Sequence, residues 1–153
     1  MSTTNYAYSR FCHERFPLPS EQQVVELERQ ICIEFPEDYR NFLLEFNGGY
    51  FTEPDITPVV EGCPLDALTF LSGLNASHDE AALGRPADLS LFEGNDPPKI
   101  IPVGATTMGG LIILVTEDED RGTIYFKQAY AGFFFLANNI EEFFELLREP
   151  EPS

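Results

Sequence analysis

Hydrophobic positions recur along this chain in two periods, and the change from one to the other organises the sequence. Near the start, Ser20 and Gln23 have capping-box spacing, in which each side chain satisfies an end amide. Val24, Leu27 and Ile31 then fall on one face at helical spacing, which predicts a helix opening at Ser20. A second helix is predicted in Phe35-Pro36-Glu37-Asp38-Tyr39-Arg40-Asn41-Phe42-Leu43-Leu44-Glu45-Phe46-Asn47-Gly48-Gly49. Pro36 suits the first helical position, and Glu37 and Asp38 suit the positive end of the helix dipole. Tyr39, Phe42, Leu43 and Phe46 form its apolar stripe. Asn47-Gly48-Gly49 ends it, because Asn and Gly accept the left-handed conformation of a helix terminus. A strand is expected near Tyr50–Phe51.

Beyond that point the period shortens. Strand-like runs are expected at Ile56–Val60 and Leu68–Leu71, then a surface excursion over 72–98 with a short helical turn at Ala81–Leu83. Strands follow at Lys99–Val103, Leu111–Thr116, Thr123–Lys127 and Phe133–Leu136, with a polar turn at Glu117–Gly122, which predicts an antiparallel meander. Asn138 or Asn139 caps a last helix whose stripe is Ile140, Phe143, Phe144 and Leu147. No regular element is assigned to the first 17 residues, which carry the aromatic anchors Tyr6, Tyr8, Phe11 and Phe16. The expected organisation is a lead-in over 1–19, one domain over 20–148 and a flexible tail over 149–153. The fold class is α+β, with helices packed against a mostly antiparallel sheet.

Composition adds a core and a charge. The 153 residues, 43% hydrophobic with 14 Phe and 6 Tyr, suffice for one domain with a proper core. Acids outnumber bases 26 to 9, a net charge of −17. Such a chain repels nucleic-acid phosphates and anionic membrane surfaces, and steers basic partners toward itself. The three cysteines, Cys12, Cys32 and Cys63, are odd in number and widely spaced, which argues for a reducing compartment rather than a disulfide framework. Residues 1–16 show no apolar signal-peptide core, and the apolar stretches at Gly110–Val115 and Ala131–Ala137 are too short to cross a bilayer. A cytoplasmic location is the expectation.

Candidate chemistry is sparse. Cys12 and His13 are adjacent, but adjacency does not aim an imidazole at a thiol. Carboxylates are too abundant for sequence proximity to mark an acid–base pair. Cys and His lack zinc-ligand spacing. The run from Asp118 has Gly122 at the fifth position of a calcium loop and Thr123 where that loop needs glycine. Gly104–Gly110 is glycine-rich but leads into a strand and lacks the Lys-Ser/Thr ending of a phosphate loop. With Lys99 and Lys127 as the only lysines there is no basic stripe for nucleic acid.

The Pro-x-x-Tyr-x-x-Phe-Leu…Asn-Gly-Gly run over Pro36–Gly49 resembles the signature of the SUKH superfamily, the Smi/Knr-type domains. Phe70-Leu71-Ser72-Gly73-Leu74, Ile101-Pro102-Val103-Gly104, Thr123-Ile124-Tyr125-Phe126 and Ile140–Leu147 are similar to its later parts, in the same order. Two features depart from the pattern. Phe35 replaces the usual Leu, and Ala105–Leu111 lacks the Asp and Gly-Asn that many members carry before the central strand. The resemblance implies a non-catalytic binding module with no cofactor. Within it fall bacterial immunity proteins that neutralise toxin domains, often nucleases, and fungal regulators of cell-wall assembly and signalling. A basic toxin domain is then the expected partner, and a signalling scaffold the alternative. Three acidic segments are the candidate contact sites: Glu53, Asp55 and Glu61; Asp79, Glu80, Glu93 and Asp96; and Glu117, Asp118, Glu119 and Asp120. Tyr50 and Phe51 are candidate aromatic anchors, with burial in the core as the competing role.

Overall fold

A computed structural model describes residues 3–84, 100–117, 119–128 and 132–150. In chain order the elements are α1 (Thr3–Phe11), β1 (Cys12–Arg15), α2 (Glu21–Ile31), α3 (Glu37–Glu45), β2 (Gly49–Phe51), β3 (Asp55–Ile56) and β4 (Asp66–Leu71). A 3-10 turn (Asp79–Ala81) precedes β5 (Ile100–Thr106), β6 (Leu111–Val115), β7 (Ile124–Gln128) and β8 (Gly132–Ala137). The described chain closes with α4 (Ile140–Phe144) and β9 (Leu147–Arg148). The sheet runs β1-β2-β4-β5-β6-β7-β8, with β3 bridging β4 to β9 and every strand pair antiparallel. The α+β architecture expected from the sequence is present.

The predicted helices form for the predicted reasons. Ser20 Oγ accepts from the Gln23 amide at 3.1 Å while Gln23 Oε1 accepts from the Ser20 amide at 2.9 Å, a complete capping box. Pro36 sits one position earlier than expected, at the N-cap of α3, where its carbonyl accepts the Arg40 amide. Tyr39, Phe42, Leu43 and Phe46 are all buried. Strand alternation turns Phe51, Ile101, Val103, Ile112, Leu114, Ile124 and Phe126 into the same core as the helix stripes.

Four further local expectations change. Residues 3–15 form α1 and β1, although Thr-Thr-Asn-Tyr-Ala-Tyr-Ser-Arg-Phe has weak helix propensity. Tertiary packing stabilises α1: Tyr8 and Phe11 are buried, and the Tyr8 ring meets Phe42, Phe46, Phe51 and Phe144 at centroid distances of 5.2–6.2 Å. The strand expected over Ile56–Val60 ends at Ile56, just ahead of Pro58, which has no amide to donate. The helical turn lies at Asp79–Ala81, two residues earlier than expected. Leu147 is buried but is not helical; α4 stops at Phe144, and Leu147 pairs with Ile56 while the Leu146 carbonyl accepts from the Thr57 amide and hydroxyl.

Candidate partner surface

The corner between α3 and β2 fixes everything around it. Asn47 is fully buried with φ 65°, in the left-handed region that asparagine tolerates better than most residues. Its Nδ2 donates to the carbonyls of Pro17 and Leu74, both at 2.8 Å, and its Oδ1 accepts from the Leu74 amide at 3.1 Å. Tyr8 Oη donates to the Gly48 carbonyl at 2.8 Å. A Cβ on Gly48 would collide with the Leu71 carbonyl oxygen and lie 2.6 Å from that of Ser72. A Cβ on Gly49 would lie 2.7 Å from both Cys12 Sγ and the Glu14 carbonyl oxygen. Asn-Gly-Gly thus lets α3, β1 and the end of β4 approach this closely.

Immediately after the joint the strand divides its side chains. Phe51 turns into the core, whereas Tyr50 is half-buried on the other face. There its ring meets Phe16 edge-on at 5.5 Å and Phe70 at 5.8 Å, with His78 at 5.9 Å and His13 at 6.5 Å. Its hydroxyl donates to Glu80 at 3.1 Å. Burial above all, then Glu80, pushes its phenol up to about 12. Glu14, opposite Tyr50 in register, accepts from Ser77 Oγ at 2.5 Å. The register of β1 slips between Cys12 and Glu14. Such a bulge re-aims side chains. Cys12 packs against the core, His13 and Glu14 both lie beside Tyr50, and Arg15 returns to the helix side over the Tyr8 ring.

The predicted acids occupy separate places. Thr107, in the β5–β6 turn, donates to Glu53 at 3.2 Å, so Glu53 lies at that end of the sheet. Asp55 is in β3, half-buried, and Glu61 is exposed in the turn ahead of β4. Glu117, Glu119 and Asp120 lie exposed in the β6–β7 turn, which a meander places at the opposite end. Arg121 pins that turn to the α2–α3 loop by donating to the carbonyls of Glu34, Phe35 and Thr116 at 2.9–3.2 Å. Asp79 and Glu80 form the 3-10 turn beside Tyr50. Glu93, Asp96 and Asp118 lie outside the described residues, as do Lys99 and the end of the expected tail. One further acid matters structurally: Asp66, buried, accepts from Thr106 Oγ1 at 2.6 Å and from the amides of Ala67 and Met108, and so holds the β5–β6 turn.

A scan against protein families matches residues 18–146 to the SMI1/KNR4 family (SUKH-1). The chain belongs to this family. A relative, the SPbeta prophage-derived uncharacterized protein YokK of Bacillus subtilis (strain 168), is 30% identical over 157 aligned positions, covering 89% of this chain and 79% of its own length. The SUKH signature run therefore has a physical explanation here. Its apolar positions line the core and its Asn-Gly-Gly closes the joint, so the residues that identify the family build the fold.

The described bases of this SUKH domain, most of them exposed, are engaged by the protein's own acceptors. Arg10, Arg29 and Arg40 form ion pairs with Glu149, Glu26 and Glu28. Arg15 donates to the carbonyls of Glu45 and Phe46 at the C-terminus of α3, and Arg148 to that of Glu145 at the end of α4, where helix dipoles favour positive charge. Lys127 donates to the Gln128 carbonyl and lies over the Phe133 ring. Among the described residues, Glu53, Asp55, Glu61, Asp79, Glu80, Glu119 and Asp120 take part in no ion pair. Burial pushes the Cys12 and Cys63 thiols up, which keeps them protonated, and Cys12 packs against the core while His13 lies on the other side beside Tyr50. Among the described residues no group of three or more His, Cys, Asp or Glu is placed to hold a metal ion, and no helix is long and apolar enough to cross a membrane.

Proposed function

We propose that this SUKH domain is a non-catalytic, cytoplasmic immunity-type module that binds a basic toxin domain and blocks it. One observation carries the reading: the described cations are engaged by the protein's own carbonyls and carboxylates, while seven carboxylates of the candidate segments take part in no ion pair among the described residues. Such a surface keeps its field for a partner. Acidic loops at both ends of the sheet attract a cationic substrate groove at long range, and the captured toxin is masked where it would meet its own anionic substrate. Family membership supports a protein partner, since the SUKH resemblance implies toxin neutralisation or regulation by binding.

Affinity capture from the native lysate at low and at high salt tests this. One basic toxin-like protein, released as salt rises, with growth rescue when both are co-expressed, is the expected result. Several regulators held independently of salt would replace immunity with a scaffold role. Turnover of a substrate by the purified protein would end the non-catalytic reading.

A further inference from the structure

The Tyr50 plateau combines features that the acidic loops lack. Tyr50 presents part of an aromatic ring to solvent from a fixed position, held edge-on by Phe16 and Phe70 and tethered through its hydroxyl to Glu80. Glu14 stands beside the ring, fixed by Ser77, and Glu80, in the 3-10 turn with Asp79, meets its hydroxyl. His13 and His78 complete the rim. No described arginine or lysine reaches it, because the β1 bulge turns Arg15 to the far side of the strand, onto α3. The surface thus offers part of an aromatic ring and carboxylates together, with no cation among the described residues to occupy them.

We infer that this plateau is the anchoring point for an arginine side chain of the basic protein partner, the guanidinium lying on the Tyr50 ring with Glu14 and Glu80 accepting its N–H groups. The inference rests on the binding-module reading and adds to it the contact chemistry. Arginine fits better than lysine because a planar guanidinium both stacks on an aromatic ring and spreads several donors toward neighbouring carboxylates. A rigid aromatic bounded by fixed acids is the kind of site where a few residues dominate an interface. The ring is ordered before the partner arrives, so little side-chain entropy is lost on binding.

The histidines provide the readout. His13 and His78 are the only two in the chain, and both border Tyr50, so the imidazole resonances in an NMR spectrum report on this place alone. Titration with a capped tetra-arginine peptide at low salt should shift both, tetra-lysine should shift them less, and tetra-glutamate should leave them unmoved. Tyr50→Ala should weaken the tetra-arginine response about three- to tenfold. Should Tyr50→Ala fail to fold, the double variant Glu14→Gln with Glu80→Gln keeps the ring and should weaken it comparably. Tyr50→Phe should bind nearly as the parent does. Histidine signals that stay still while backbone amides shift elsewhere would overturn the inference, as would unchanged binding by a folded Tyr50→Ala or by the double variant. The two readings can fail separately. A basic protein captured from lysate and held equally by these variants would remove the anchor and leave the binding reading. A tetra-arginine response with no basic protein captured would do the reverse.

Discussion

The Asn47–Gly49 joint and the Tyr50 plateau are consecutive in sequence, yet they are built from opposite materials. At the joint the Asn47 side chain is buried and hydrogen-bonded through both its amide atoms, backbone meets backbone, and a carbon added at Gly48 or Gly49 has nowhere to go. One residue later, polar and aromatic side chains face solvent and keep accepting capacity in reserve. The contrast separates what makes this chain a SUKH domain from the surface proposed to meet a partner. The signature run is rigid because it cannot change without loss of the fold. The outward residues of β1, β2 and the 3-10 turn can change without disturbing it, which is where a family of binders with different partners would diversify.

The largest expected effect is at Gly48. Gly48→Ala forces a Cβ into the Leu71 and Ser72 backbone, which cannot move without displacing β4 from the centre of the sheet. Overpacking of this kind costs about 3 kcal/mol or more. Denaturant unfolding should show either that loss or no folded protein. A near-normal midpoint would mean that the joint is looser than its geometry implies.

Asn47→Ala comes next. It strands the Leu74 amide and carbonyl in a part-buried site, leaves the Pro17 carbonyl with Asn75 Nδ2 as its remaining side-chain donor, and puts alanine at φ 65°. Each stranded group costs about 1–3 kcal/mol where water cannot reach it. A total loss of about 3 kcal/mol, read from the same unfolding curves, should leave a weakly stable fold. Asn47→Gly restores the backbone but not the hydrogen bonds, and should recover only part of the loss.

What the sequence makes legible follows the range of the interactions. α2 and α3 are legible because caps and stripes are written within a few residues, and the β5–β8 meander because alternation and turns are local. α1 is not, since its stability comes from Tyr8 and Phe11 meeting residues of α3, β2 and α4 far along the chain. Leu147 fits a helical stripe, but its pairing with β3 is a long-range fact that no local period contains. The acids of the candidate surface are plain in the sequence, whereas their distribution over separate places depends on topology. The meeting of His13, Tyr50 and His78 depends on a bulge and on the return of the chain after β4. An acid at Glu14, two positions beyond Cys12, gives no sign of it.

The titration of Tyr50 sharpens the contrast without changing the fold. Its phenol is raised from 10.0 to about 12, so the folded state holds the proton more tightly than the unfolded chain does. The associated stabilisation is complete below pH 10 and is lost as pH rises toward 12. Burial also raises Tyr8 and Tyr39. In the difference between parent and Tyr50→Phe, phenolate absorbance should therefore rise near pH 12 while circular dichroism still reports folded protein. A difference centred near pH 10 would mean that Tyr50 is open to water and unattached to Glu80.

The smallest effect on the fold, and the most discriminating for function, is expected from the acidic β6–β7 turn. Glu119→Lys with Asp120→Lys replaces exposed carboxylates that have no cationic partner among the described residues, so stability should change by no more than about 0.5 kcal/mol. Arg121 still pins the turn through backbone carbonyls, which the swap does not touch. The consequence should lie in kinetics. This turn acts at long range, so reversal should slow association with the basic partner at low salt, and the difference should shrink as salt rises. The Tyr50 plateau acts at contact, so its variants should instead speed dissociation. Stopped-flow binding of both variants at two salt concentrations separates the two. If the swap changes only dissociation, the turn is itself a contact and steering by charge is the wrong account of what this acidity does.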